Sequence, residues 1–243
     1  MVDTQSIQRI PWTRFGFESV LIVLSILAAF SIDTWWGSKS DANQEQAMLL
    51  ALSEDFTEAE KLLSVVKSLH NMTARAGEKL ITLGETGSVP ETDQNGVDLL
   101  ISRHFARATF DPPMSTVESV LGSGRIDLLT SQELIAELTQ WSSVVTQLHN
   151  LEIEARDHFY ERFYPYLISR IKLKDLDKGY PEFLESYPWE QEQTDAYKLV
   201  SDQEFMNIVY LHWILKTNIL SNLVPVEASL TRIRDLIKVE LSD

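Results

Sequence analysis

The sequence predicts an all-α protein: one N-terminal transmembrane helix followed by an elongated antiparallel helical bundle of three long helices plus short helices. Three observations carry this. The window Phe15 to Trp36 is almost wholly apolar, and the remainder repeats apolar residues at three- and four-residue spacing. With 9 glycines and 8 prolines in 243 residues, the chain also lacks the turns a β-sandwich needs.

The N-terminal tail, 1–14, leads into FGFESVLIVLSILAAFSIDTWW, residues 15–36, in which Val20 to Ile32 carry no charge. These 22 residues make about 33 Å of helix at about 1.5 Å per residue, enough for a hydrocarbon core about 30 Å thick. Trp12, Trp35 and Trp36 stand at the two ends, where indole rings favour the boundary between lipid and water, and are the expected membrane-interface residues. A cleaved signal peptide and a buried core helix are the competing readings. The latter is weakened by the long run without a polar face. Arg9 and Arg14 precede the span and Lys39 follows it, which favours a cytoplasmic N-terminus and an extracytoplasmic remainder. Glu18 and Asp33 lie near the ends of the span, within reach of water.

Residues 37–243 form the expected acidic helical-bundle domain. Leu49, Leu52, Phe56, Ala59, Leu63 and Val66 make a heptad-like seam on a helix over about 40–83. Gly84 to Gly96 ends it with glycine, proline and acidic residues. Short helices follow at about 96–107 and 114–121, separated by Asp111-Pro112-Pro113. Thr130 or Ser131 suits the N-cap of a second long helix with the stripe Leu134, Leu138, Trp141, Val145, Leu148, Ala155 and Phe159. It is expected to reach about Ile171 with a kink at Pro165. A third starts after Ser201-Asp202 and carries Phe205, Ile208, His212, Leu215, Ile219, Leu223, Val226, Leu230, Ile233 and Ile237, with a bend at Pro225. If the three alternate in direction, the short helices sit at the distal tip and residues 173–200 lie beside the bilayer. All 7 tyrosines fall between Tyr160 and Tyr210. Tyr180, Phe183, Tyr187 and Trp189 are the candidate partner or ligand surface, a packing cap on the bundle being the plainer alternative.

GFESVLIVLSILAAFSIDTWW, SGRIDLLTSQELIAEL at Ser123–Leu138 and SDQEFMNIVYLHWILKTNILSNL at Ser201–Leu223 together resemble an uncharacterised bacterial family of single-pass membrane proteins carrying a domain of unknown function. Gly16, Glu18, Ala28, Ile32 and Trp35 or Trp36 match that family's membrane-helix pattern. Ser123, Gly124, Leu128, Leu129 and Leu134 match its central turn. The chain departs from the pattern after the span, where Lys39 stands alone in place of a basic cluster. The resemblance implies a bacterial inner-membrane location and brings no activity with it.

The composition excludes much chemistry. There is no cysteine, hence no disulfide, zinc ribbon, iron–sulfur cluster or thiol nucleophile. A net charge of -15 opposes nucleic acid, because phosphate binding needs a basic face. Nearly all the acidity lies in residues 37–243, which suits a basic partner and repels an anionic leaflet. His70, His104, His149, His158 and His212 show no H-x-x-x-H or H-E-x-x-H pairing. His149 with Glu152, and Glu154 with His158, read as solvated helix-face pairs. Gly122-Ser123-Gly124-Arg125 lacks the lysine of a phosphate loop, and no Gly-x-Ser-x-Gly elbow occurs. No catalytic, cofactor or metal residue is therefore assigned, and the chain is not expected to be an enzyme. The expectation is a non-catalytic membrane-anchored helical module, a scaffold or accessory subunit. It would contact membrane lipid and either another membrane protein or a second copy of itself. The alternative is an extracytoplasmic ligand-sensing bundle that signals through a partner.

Overall fold

The computed structural model describes residues 12–87, 89, 94–122, 124–173 and 195–242, with the backbone alone at 12–17, 19, 94 and 95. All regular structure among the described residues is helical. The α-helices are α1 (Trp12–Thr86), α2 (Gln94–His104), α3 (Ser115–Gly122), α4 (Gln132–His158), α5 (Tyr164–Ile168) and α6 (Gln203–Glu240). Tight 3-10 turns occupy Arg125–Leu128 and Ala196–Ser201, and a π-turn occupies Phe159–Phe163. The chain divides into two compact units, Met1–Met48 and Leu49–Asp243.

In the first unit the apolar side chains of α1 face outward around the whole helix, from Val20 at 56% exposed to Phe30 at 64%. Three of its hydroxyls are satisfied internally. Ser25, Ser31 and Thr34 each donate to the carbonyl four residues back, on Leu21, Leu27 and Phe30, at 2.8 Å. Glycine at position 37 does not interrupt the helix, although an interior glycine costs about 1 kcal/mol relative to alanine. A separate start near residue 40 was expected; α1 instead runs without a break through both compositions.

In the second unit the expected seams are the buried ones. Leu49, Leu52, Phe56, Ala59, Leu63 and Val66 of α1 are all buried, as are Leu134, Leu138, Trp141, Leu148 and Ala155 of α4. Val145 and Phe159 are half-buried. On α6 every expected stripe residue is buried except Ile208, which is half-buried. Ser131 caps α4, its Oγ accepting from the Leu134 N–H at 3.3 Å. Asp202 caps α6, accepting from Glu204 at 2.8 Å and Phe205 at 3.1 Å. Pro225 sits inside α6, which continues as helix past it. Pro165, by contrast, is accommodated by the π-turn just before it, with the Tyr164 N–H bonding back to the Phe159 carbonyl. The wider turn eases the clash a proline ring makes with the carbonyl four residues earlier.

Helix directions follow from cross-contacts. Glu60 pairs with Arg234 and Lys67 with Glu227, so α1 and α6 are antiparallel. Arg232 pairs with Glu133 and Glu137, and Gln147 with Asn222, so α4 and α6 are antiparallel too. Phe56 packs on Trp141 and His70 faces Glu152, so α1 and α4 run parallel. This corrects the expectation of strictly alternating directions. The reason is the stretch from α2 to α4. His104 reaches Thr73 of α1, Phe110 reaches Glu152 of α4, and α4 then starts beside Arg232. The short helices therefore belong to a long return crossover rather than to a tip. Ala196, Leu199 and Val200 join the core cluster around Leu80, with Ile171, Leu173 and Tyr197 packed against it, at the end of the unit opposite Leu49. The expectation that residues 173–200 lie beside the bilayer falls on a segment of which 174–194 lie outside the described residues.

Candidate functional site

The apolar seams share one interruption. On α1 the spacing that places Val66 continues to His70, Thr73 and Gly77 before Leu80. On α4 the positions Trp141, Val145 and Leu148 continue to Glu152 and then Ala155. His104 follows Ile101 on α2, and His212 with Lys216 interrupts α6. These positions meet at one level of the second unit, where His70, Thr73, His104, Glu152, His212 and Lys216 are all buried. A buried polar layer costs free energy unless its members satisfy one another.

His104 is fully buried, with Nδ1 3.0 Å from the Thr73 carbonyl and Nε2 3.2 Å from the Val209 carbonyl. Burial pushes its pKa down to about 4, with the Lys216 and His158 charges acting the same way against the two carbonyls. The His212 ring lies edge-on to His104 at 5.1 Å and stacks on His158 at 5.5 Å. Neither His212 nitrogen has a hydrogen-bond partner among the described residues. Burial first, then the neighbouring His104, Lys216, His158 and His70 charges, hold it well below the ordinary range. His70 and His158 are lowered chiefly by burial as well. The layer is thus uncharged at its histidines at neutral pH. Gly77 makes room for it: a Cβ there would lie 2.3 Å from the His104 ring.

Glu152 and Lys216 form the charged edge of the layer. Both Glu152 carboxylate oxygens accept from the Phe110 N–H, at 3.0 and 3.2 Å, and Oε1 lies 3.6 Å from His70 Nε2. Lys216 is 3% exposed, and burial pulls its pKa down to about 8 despite the nearby Glu152. These two residues floor a cavity of about 240 Å³ whose rim includes Arg107, Arg156, His149 and Tyr160. The Arg107 guanidinium lies over the Phe159 ring at 4.7 Å and the Tyr160 ring at 5.0 Å, and donates to the Tyr160 hydroxyl. Arg156 bonds Asp157 at 3.1 Å. Among the described residues Arg107 makes no ion pair with a carboxylate. A larger groove of about 1070 Å³ between α4, α5 and α6 is different, because Arg170 there is matched by Asp202 and Glu204.

The reading of Glu152 as part of a solvated pair with His149 is corrected: His149 is exposed, whereas Glu152 is in the core. The signal was the heptad position of Glu152 between Leu148 and Ala155. Trp35 and Trp36 are exposed on α1 with ring centroids 5.7 Å apart, and Lys39 Nζ lies 5.5 Å from the Trp35 ring. The side chain of Trp12 and all of Tyr180, Phe183, Tyr187 and Trp189 lie outside the described residues. No group of three or more His, Asp or Glu side chains among the described residues is arranged to hold a metal ion. No protein-family model matches the chain, and neither the curated proteins nor the solved structures contain a match.

Proposed function

We propose that this protein is a single-pass, membrane-anchored helical module that acts by binding rather than catalysis, as a scaffold or accessory subunit of a bacterial inner-membrane complex. The supporting observation is the first part of α1, apolar and exposed on every face, with three of its hydroxyls bonded to its own backbone. A helix of that kind loses little on entering hydrocarbon, since its backbone groups are paired within the helix and the hydroxyls of Ser25, Ser31 and Thr34 are not stranded there. The remainder of the chain is a helical bundle of α1, α4 and α6, and it faces the periplasm if Arg9 and Arg14 stay in the cytoplasm. The family resemblance of the membrane helix and of Ser123–Leu138 agrees with this reading. Alkaline carbonate extraction of membranes tests it. The full chain is expected in the pellet, and release into the supernatant with peripheral proteins overturns the anchor. Crosslinking in intact membranes is expected to trap either a second copy or a membrane-protein partner.

A second reading, ligand sensing by the bundle, is favoured by the cavity over Lys216 and Glu152. A scaffold needs no buried lysine, and burying one lowers stability.

A further inference from the structure

We propose that the cavity bounded by Lys216, Arg107, Arg156 and Tyr160 is a binding site for a small oxyanion, a carboxylate or phosphate. The inference deepens the ligand-sensing reading and is independent of whether α1 spans a bilayer. Its basis is a charge imbalance in a built pocket. Three cationic side chains border the space; Arg156 is paired with Asp157, and Glu152 alone opposes Lys216 and Arg107, which leaves one cation in excess. Glu152 is already engaged by the Phe110 N–H on both oxygens and faces His70. In a chain of net charge -15 the local exception is a buried cation: a second groove, lined by Arg75, Lys79 and Arg103, is also cationic, but all three of its cations are exposed. The exception is costly, since Lys216 is almost wholly buried and lies close enough to Arg107 for the two charges to oppose each other. A bound anion would remove that repulsion.

Geometry agrees with the charge. Arg107 is held over two aromatic rings and bonded to the Tyr160 hydroxyl, so its planar fork is oriented before any ligand arrives. Guanidinium forks match carboxylate and phosphate oxygens in pairs. A volume of about 240 Å³ suits a metabolite smaller than a drug-sized molecule. The exposed rim and buried floor let a ligand enter while Lys216 meets its charge away from bulk water.

Isothermal titration calorimetry on the full chain in detergent micelles tests this, with succinate in one arm and inorganic phosphate in the other. Saturable binding in at least one arm is expected, and the arm that binds names the oxyanion. Arg107→Gln and Arg156→Gln, at exposed positions, are each expected to weaken it about tenfold or more, as loss of a charge-assisted hydrogen bond does. Lys216→Met is expected to abolish it, and if that variant does not fold the two arginine variants decide. Arg75→Gln, in a separate groove lined by Lys79 and Arg103, should leave binding unchanged. Binding should weaken from pH 7 to pH 9 as Lys216 loses its proton. The groups facing it are Glu152 from α4, Arg107 after α2, His70 from α1 and His104 from α2, with His212 on its own helix. No saturable binding in either arm, or equal binding by wild type and Arg107→Gln, overturns the proposal. Neither result touches the carbonate extraction, so the anchor and the site fail separately.

Discussion

Gly77 shows how one residue admits a polar layer into a helical core. Alanine is ordinarily the better helix former by about 1 kcal/mol, so Gly77→Ala should stabilise an isolated helix. Here the added methyl would meet a buried His104 ring, held between the Thr73 and Val209 carbonyls with its one N–H able to donate to either, and would lie 3.1 Å from the Trp213 ring. Overpacking wins, and Gly77→Ala is expected to lower stability by about 1–3 kcal/mol, read from urea denaturation. His104 itself makes stability depend on pH. Its folded pKa of about 4 lies below the model-peptide value of 6.5, so between these limits the unfolded chain binds the extra proton. Stability is therefore complete above pH 6.5 and falls as the pH drops toward 4, by about 3 kcal/mol from this residue alone. The groups facing it are Lys216, His158 and His212 and the carbonyls of Thr73 and Val209. Urea midpoints at pH 7, 5.5 and 4.5 test the slope, and midpoints that rise on acidification contradict it.

Each long element in the second unit is decided by a cap and a seam, and both are local in sequence. Asp202→Ala removes the acceptor for two amides at the start of α6 and should cost about 1 kcal/mol, measured as a drop in thermal midpoint. Trp141→Ala opens a hole between Phe56, at 5.1 Å, and Phe110, at 6.1 Å. It should cost about 3–5 kcal/mol by the same measurement. Seams such as Leu49–Val66 and Phe205–Ile237 were readable because burial follows the 3.6-residue period. The period carries no direction, however, so the parallel course of α1 and α4 could not be read from it. What decided it was where α2, α3 and the 3-10 turn before α4 lie, and that depends on contacts such as His104 with Thr73 that no local pattern encodes. The polar layer was legible in principle. His70 and Glu152 occupy seam positions, but each alone reads as a charged helix face, and only their meeting distinguishes a core group from a surface pair. The π-turn ahead of Pro165 was foreshadowed only as a kink.

For the whole molecule, the two units make opposite demands on solvent. Residues 49–243 bury their own seams, whereas the helix before them exposes apolar side chains throughout. Removing residues 1–48 is therefore expected to give a monodisperse helical protein in water without detergent, checked by size-exclusion chromatography and circular dichroism. Aggregation of that fragment would show that the bundle relies on the removed segment or on a partner for cover. The ion pairs along the α1–α6 seam, Lys67–Glu227 at 2.5 Å and Glu60–Arg234, are exposed and contribute at most about 1 kcal/mol each, so the fragment's stability should change little in 0.5 M salt.

The antiparallel course of α6 against α1 also fixes how the second unit would respond to force. Ser53 and Thr57, just after the unit begins, line the same groove as Ile237, Leu241 and Ser242 near its end. A pull between its two ends would load the Leu49 end first and open the α1–α6 seam one heptad at a time, as a zipper opens, rather than shear the whole seam at once.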